Sequence, residues 1–275
     1  MPILRSRAPH RLVPLVGAAM LVACATAPSL DAPTARRVDA LMPVDALLLG
    51  EQHDAPEHQV IERETVEALA AKGRLAALAI EMAEEGNATG YLPPDATEEQ
   101  VKTALSWNEK AWPWSAYGPT LMAAVRAGVP VVGANLPREH MKDAMADVSL
   151  DAQLTVEART AQQDAVRAGH CDLLPESQIV PMTRIQIARD RAMAQTIVKA
   201  RAPGKTVLLV SGAGHTNKAL GVPQHLPNDV SVKVVQMQAG VPRGATGIFD
   251  ATWPTPPVPE KDYCAELRPP VRRAS

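Results

Sequence analysis

The residues best suited to chemistry stand together after a predicted strand. Residues 47–49 are three leucines, long enough for a buried strand, and the chain continues as Gly50-Glu51-Gln52-His53-Asp54. Open α/β sheets bind ligands just beyond the carboxyl ends of their strands. Glu51 and His53 are therefore candidates for acid–base chemistry or for binding a metal ion. Asp54 stands two residues before a proline, as at an ordinary helix start, so a capping role for it stays open.

Three further apolar runs, at residues 75–80, 129–133 and 206–210, also end in polar or charged residues. Short apolar runs bounded by glycines and polar residues are typical of parallel strands that are covered on both faces. If these strands lie side by side, one edge of the sheet collects the side chains of Glu51, His53, Glu81, Asn135, Arg138 and His215.

The spacing of apolar residues between the strands is helical, for example over 56–71 and 183–200. Residues 139–182 contain helical patterns and no predicted strand. A gap of this length is too long for a single crossover between parallel strands. The sequence therefore predicts an α/β fold with a mostly parallel sheet flanked by helices. Its body comprises residues 37–138 and 183–248, and residues 139–182 form a small inserted helical cap.

The amino-terminal segment has the features of an export signal. Three arginines precede an apolar stretch at residues 12–22, too short to span a membrane as a mature helix. It ends in Leu21-Val22-Ala23-Cys24, which resembles the bacterial lipobox, where the cysteine is lipidated. A simple cleavage site with an incidental cysteine is the alternative. Because Ala25 follows instead of aspartate, we expect an outer-membrane lipoprotein facing the periplasm, with a signal peptide at 1–23 and a tether at 24–36.

Two cysteines, Cys171 and Cys264, remain when Cys24 carries the lipid. An even pair in an exported protein favours a disulfide over two free thiols. Cys264 lies in a Pro-rich tail, residues 249–275, where the prolines cannot build the interior of a helix or a sheet. We expect the disulfide to fasten this tail.

Charge and motifs exclude several classes of function. The net charge of -2 gives no basis for binding nucleic acid. Gly212-Ala213-Gly214 lacks the third glycine of a dinucleotide loop, and the sequence has no Gly-Lys-Ser/Thr phosphate loop. Ser211 lacks the glycine two places earlier that a nucleophile elbow requires.

Several short motifs follow one another between about residues 45 and 240. They are Gly50-Glu51-Gln52-His53-Asp54 with His58, Trp114 and Tyr117, Gly128-Val129-Pro130-Val131, Asn135-Leu136-Pro137-Arg138, His170-Cys171, Gln186-Ile187-Ala188-Arg189-Asp190-Arg191-Ala192-Met193-Ala194, Gly212-Ala213-Gly214-His215 and Gly221-Val222-Pro223. Together they resemble the ChaN family of haem-binding uptake lipoproteins, within the Tiki, TraB and erythromycin-esterase-like superfamily. The resemblance implies a parallel α/β domain, a small helical domain and haem as the ligand. In the superfamily's enzymes, the matching positions line a hydrolytic site: Glu51, His53, Glu81, Arg138 and His215.

Haem binding needs flat apolar or aromatic surface and a Lewis base for the iron. Only 3% of the chain is aromatic, yet Trp107, Trp112, Trp114 and Tyr117 fall close together. They indicate either a haem platform or a packed corner of the core. On the first interpretation Tyr117 is the slightly favoured iron ligand and His170 the alternative. The other predicted haem contacts are Trp114, His53, His58, Arg138 and His215.

Two functions follow from these residues. A haem carrier would bury an exposed haem face against a second copy, as a homodimer, or pass haem to a receptor or transporter. The alternative is an esterase or a protease-like hydrolase. It would use a divalent metal, or His53 as a general base held by Glu81, with Arg138 and His215 stabilising an oxyanion. The residues themselves leave catalysis unassigned.

Overall fold

The computed structural model describes residues 33–241 and 248–265, so the predicted signal peptide and Cys24 lie outside the described residues. The described strands are β1 (Ala46–Glu51), β2 (Leu75–Glu84), β3 (Val131–Asn135), β4 (Thr206–Gly212), β5 (Val232–Ala239) and β6 (Ala251–Thr255). They form one sheet in the order β3-β2-β4-β1-β5-β6, and all neighbouring strands are parallel. All their carboxyl ends therefore reach one edge, which we call the carboxyl edge.

Helices cover both faces of this sheet, which confirms the predicted α/β fold class. The described helices are α1 (Thr34–Asp39), α2 (Pro56–Ala71), α3 (Glu98–Ala104), α4 (Trp114–Arg126), α5 (Met141–Ala146), α6 (Val156–Gly169), α7 (Glu176–Ala200) and α8 (Ala213–Thr216). Helices α1 to α4 pack on one face of the sheet and α7 packs on the other.

The leucines of β1 show how the two layers are built. Successive side chains of a strand point to opposite faces. Leu47 and Leu49 therefore join the cluster that includes α2 and α4, whereas Leu48 packs with Met193 and Ile197 of α7. All three leucines are fully buried, and burying a leucine contributes about 1.5–3 kcal/mol. This double burial explains the continuous apolar run.

Residues 139–182 are largely helical, and a separate apolar cluster packs them against α7 through Leu150, Leu154 and Ile187. Helix α7 begins at Glu176 and continues without interruption past residue 183, where we expected the body to resume. Pro181 lies early in this helix and removes only one backbone donor. The cap and the body thus share one helix.

Both ends of the body differ from the sequence-based expectation. Helix α1 begins at Thr34, inside the predicted tether, because Val38 is buried against the core. Residues 251–255 of the predicted tail form β6, the outermost strand. Pro254 is tolerated there because an edge strand has one unpaired side. β5 was not predicted, because its apolar pattern is weaker than that of the central strands.

The observed limits of β2 and β3 also differ from the predicted ones. β2 continues to Glu84, so Glu81 lies within the strand, next to a register irregularity between residues 80 and 84. β3 starts at Val131, two residues later than predicted, because Pro130 has no N–H for the ladder.

Candidate functional site

A buried carboxylate, Glu51, organises the end of β1. One of its oxygens, Oε1, accepts hydrogen bonds from His53 Nδ1 at 2.8 Å and from the Tyr117 hydroxyl at 2.9 Å. The other, Oε2, accepts one from Gln59 Nε2 at 2.7 Å. Burial raises the pKa of Glu51, but His53, the neighbouring Glu62 carboxyl and the Tyr117 hydroxyl outweigh it and hold the pKa below its ordinary value. Glu51 is therefore an ionised carboxylate that fixes the His53 ring.

A second acid, Glu62, lies fully buried on α2 close to Glu51. Burial, together with the negative charge of Glu51, raises the pKa of Glu62 well above its ordinary value. Like charges that share a dry site cannot both ionise. The protonated form is therefore favoured at Glu62, and the ionised form at Glu51.

Glu81 of β2 is the centre of a second set of contacts. Its Oε1 accepts a hydrogen bond from Arg189 at 2.6 Å, and its Oε2 accepts one from the backbone N–H of Gly212 at 2.7 Å. His215 Nε2 is 3.6 Å from Oε1, while His215 Nδ1 bonds to Asp190 at 2.6 Å. Burial raises the pKa of Glu81, but His215 and Arg189 outweigh this and lower it. Glu81 is thus also ionised.

Two histidines, His53 after β1 and His215 in α8, lie near Glu81. A Cβ atom placed on Gly212 would lie 3.0 Å from His53 Nε2 and 3.6 Å from a Glu81 oxygen, so the missing side chain lets these groups approach. Burial lowers the pKa of both imidazoles, but the carboxylates around them dominate and raise it. We call this set the acid–histidine cluster: Glu51, His53, Glu81, Asp190 and His215.

This cluster has the parts of an acid–base centre, with two imidazoles held by carboxylates and a guanidinium beside a central carboxylate. It does not have the arrangement of a metal site. Within residues 33–241 and 248–265, no group of three or more His, Cys, Asp or Glu side chains is placed to hold a metal ion.

His170 lies at the end of α6, beside a small recess between the cap and the body. The recess has a volume of about 220 Å³ and is lined by Val166, Gln186, Asp190 and His215, among others. Its surface is mostly apolar. The His170 ring is fixed by a hydrogen bond from Nδ1 to the Val166 carbonyl at 2.8 Å. This recess shares Asp190 and His215 with the acid–histidine cluster.

The aromatic residues form a packed corner of the core. Trp114 and Tyr117 are buried, and the Trp114 indole donates to Glu98 at 2.8 Å. Trp112 is half-buried and contacts the His53 ring edge-on, with 4.9 Å between ring centroids. Its ring also contacts Tyr117 at 5.8 Å. Trp112 thus packs against His53, while Trp107 and Trp112 are only partly buried.

The sequence profile described as haem-binding uptake, Tiki superfamily, ChaN matches residues 37–226, well over half of the 275 residues. The chain belongs to the ChaN family. The resemblance stated from the motifs is thereby confirmed, and haem is the ligand that this family membership assigns.

The ChaN fold is also found by structural comparison. The chain matches ChaN of Campylobacter jejuni, a structure with cofacial haem, at a TM-score of 0.63 and 23% identity, over 75% of this chain and 86% of that one. The type III effector HopBA1 matches at a TM-score of 0.46 and 16% identity, over 83% of this chain and 95% of that one. The second score is too low to support a comparison. No curated protein matches the chain.

In this ChaN-family chain, four of the predicted site residues meet at the carboxyl edge: Glu51, His53, Glu81 and His215. Arg138 does not join them. Its side chain is exposed, and only its backbone N–H is anchored, to Glu84 at 3.1 Å. Arg189 of α7 contacts Glu81 instead and also donates to Asn135 at 2.9 Å.

His58 is placed as a structural residue. It is fully buried, its Nδ1 accepts the backbone N–H of Gln52 at 2.9 Å, and its Nε2 pairs with the Thr255 hydroxyl at 3.0 Å. Burial lowers its pKa. Both ring nitrogens are engaged, so neither can reach a haem iron.

The sequence-based prediction assigned no role to Gln59, Glu62, Arg189 or Asp190, although Arg189 and Asp190 lie in one of the motifs that carry the family resemblance. Helical spacing was a further signal. Gln59 and Glu62 are three residues apart on α2, and Arg189 and Asp190 follow Gln186 by three and four residues on α7. Residues at such intervals share one face of a helix, but the sequence alone does not show that this face meets the carboxyl edge.

Proposed function

We propose that this ChaN-family protein binds haem at the carboxyl edge, beneath the cap, as an outer-membrane lipoprotein facing the periplasm that serves haem uptake. The main support for this proposal is the hydrogen bonding of the His170 ring. Its Nδ1–H donates to the Val166 carbonyl, and no described residue bonds to its Nε2. Metal-binding imidazoles use their second nitrogen in this way, and histidine is an ordinary axial ligand of haem iron.

The recess beside His170 fits one side of a haem. Its lining is mostly apolar, and Gln186 and His215 supply polar groups at its margin. Its volume of about 220 Å³ is below the roughly 300–1,000 Å³ of pockets that enclose small molecules. Haem held there keeps part of its ring exposed.

The exposed ring supports a second proposal, that two copies stack their haems in a homodimer. ChaN of Campylobacter jejuni is described with cofacial haem. Stacking buries apolar ring surface on both copies, which favours association by about 25 cal/mol per Å². A haem receptor or transporter would offer another cover for the same face.

Tyr117 is a poorer iron ligand than the sequence indicated. Its hydroxyl is buried and donates to Glu51. Burial and the Glu51 charge raise its pKa above the ordinary value, and a phenolate would face a carboxylate 2.9 Å away. The conditions around Tyr117 thus oppose the deprotonated form that binds iron.

A larger groove of about 1,250 Å³ lies between α2 and α4 and reaches His53. His53 Nε2 stands close to Gly212 and Glu81, inside the acid–histidine cluster. The His53 side chain is 40% exposed and lines this groove. The carboxylates around it raise its pKa, which disfavours the neutral imidazole that binds iron, so we propose His170 as the iron ligand.

The anchoring part of the proposal rests on the lipobox that ends at Cys24. Among the described helices none is both long and apolar enough to cross a membrane. In this proposal lipid on Cys24 holds the protein at the outer membrane, and residues up to Pro33 connect that lipid to α1.

Hemin titration of His170→Ala tests the haem site. We expect the Soret band of the complex to shift or disappear, because loss of the axial base changes the iron's coordination. His140→Ala is the matched control, since His140 is an exposed cap histidine. Unchanged spectra and affinity in His170→Ala would refute the assignment.

A hydrolase remains a second candidate, favoured by the acid–histidine cluster. Two carboxylate-bound imidazoles converge on Glu81, and Arg189 stands beside it to stabilise negative charge. In such a reaction His53 would take a proton from water or a hydroxyl, and Glu51 would stabilise the resulting imidazolium.

Esterase assays on His53→Ala and His215→Ala test this candidate. If the protein hydrolyses esters, each variant should lose turnover by a factor of roughly 100 or more, whereas His170→Ala should retain it. Turnover that is absent in the wild type, or equal in all variants, rules the hydrolase out.

A further inference from the structure

The segment that follows β6 links three parts of the carboxyl edge. At its start, the Thr255 hydroxyl pairs with the buried His58 at 3.0 Å. Further on, the Tyr263 hydroxyl contacts Asp54, which directly follows His53. Cys264 is then joined to Cys171 by the predicted disulfide, which is thereby confirmed. One short segment thus reaches from the sheet to the cap.

This segment is short and rich in proline. Residues 256–262 include three prolines, and Pro-rich chain extends by about 3.1 Å per residue in the polyproline II form. Pro257 packs near Gly240 at the end of β5. A stiff connection transmits the position of the body to the point where it is attached on the cap.

That point is directly beside His170. Cys171 and Asp172 both have positive φ, at 59° and 56°, a region that residues other than glycine rarely occupy. Such conformations persist only where surrounding contacts impose them. Val166 is the only residue of α6 that is buried within the described structure, so packing alone holds the end of this helix weakly. Backbone hydrogen bonds close the turn that carries His170, among them Asp172 N–H to the Arg167 carbonyl at 2.9 Å, and the disulfide joins this turn to the C-terminal segment.

We propose that residues 256–265 form a strap that positions His170 over the carboxyl edge, so that the C-terminal segment is a working part of the haem site. This inference rests on the proposed function at His170. Tyr263 and Cys264 act as positioning residues: Tyr263 fastens the strap to the body through Asp54, and Cys264 fastens it to the cap through Cys171. In the oxidising periplasm the second link is permanent.

The test uses full-length protein with both cysteines replaced, Cys171→Ser with Cys264→Ser, loaded with hemin. We expect hemin still to bind, with a broadened or shifted Soret band. Transfer of hemin to a haem scavenger should be faster by about tenfold or more, because a less firmly positioned iron ligand changes mainly the dissociation rate. Tyr263→Phe should accelerate dissociation by a smaller factor. Tyr91→Phe, an exposed tyrosine away from the strap, is the control and should match the wild type.

A merely structural disulfide would lower the melting temperature without changing the haem spectrum or the dissociation rate measured well below melting. That result would overturn the proposal. Amide hydrogen exchange of ligand-free protein is a second readout, and we expect faster exchange at residues 166–172 in Tyr263→Phe, which keeps the disulfide. Unaltered exchange there, together with unaltered dissociation, would also overturn it. Failure of the haem site itself is distinguishable, because His170→Ala would then bind hemin like the wild type.

Discussion

The hydroxyl of Tyr117 gives the most direct test of how this site is built. Tyr117→Phe removes one donor to the ionised Glu51 and keeps the ring, which packs at 6.1 Å from Trp107 and 5.8 Å from Trp112. A hydrogen bond to a charged group contributes about 1.5–3 kcal/mol. Glu51 keeps His53 and Gln59 as donors, so we expect the loss to stay within that range.

Urea unfolding measures this loss in the ligand-free protein. For a domain of this size, the expected change corresponds to a melting temperature lower by roughly 3–12 °C. Tyr91→Phe is the matched control, because Tyr91 is 75% exposed and such surface changes stay within about 0.5 kcal/mol. Hemin titration of the same variants should give the wild-type Soret band for both.

Two results would refute this reasoning. A Tyr117→Phe variant that folds with wild-type stability would mean that the hydroxyl contributes nothing to holding Glu51. A variant that folds but loses the Soret band would make Tyr117 the iron ligand, and the preference for His170 would then be wrong.

Three further predictions concern the anchor, the buried acid and the disulfide. Cys24→Ser should be released in soluble form, since lipid supplies the membrane affinity; retention on membranes after a salt wash would contradict the lipobox. Glu62→Leu should raise stability more at pH 8 than at pH 5 in urea unfolding. The pKa of Glu62 is higher in the folded protein than in the unfolded chain. This shift stabilises the folded wild type at pH values below the pKa of the unfolded chain, and the stabilisation is lost as the pH rises through the pKa of the folded protein. An equal effect of the substitution at both pH values would contradict this prediction. Reducing the bond between Cys171 and Cys264, which are 93 residues apart, should lower unfolding free energy by up to about 4–5 kcal/mol, and free thiols in denatured, oxidised protein would exclude the bond.

Local pattern accounts for the part of the site that the sequence reached. Buried parallel strands are continuous apolar runs, and their carboxyl ends are marked by the polar residues that follow. The amino-acid sequence therefore predicts that Glu51, His53, Glu81 and His215 lie near one another. The disulfide followed in the same way from the count of cysteines in an exported chain.

The roles of individual side chains depended on contacts between distant segments. Arg138 follows a predicted strand and Arg189 lies inside a predicted helix, but only the packing of α7 across the sheet brings Arg189 to Glu81. The sequence predicted His58 as a haem contact, but in the structure the edge strand β6 places the Thr255 hydroxyl against its ring. Spacing along one helix cannot report what a remote strand supplies.

The sequence by itself thus determined the layered fold, the edge where chemistry is concentrated and the family, because these depend on periodicity and on local motifs. Tertiary structure decided which acids are ionised and which imidazole nitrogens are free. The pKa of Glu51 is lowered and that of Glu62 is raised although both are buried glutamates. His53 and Tyr117 hydrogen-bond to Glu51, whereas burial and the charge of Glu51 dominate at Glu62. Burial and partners set these states, and both arise only when segments far apart in the chain pack together.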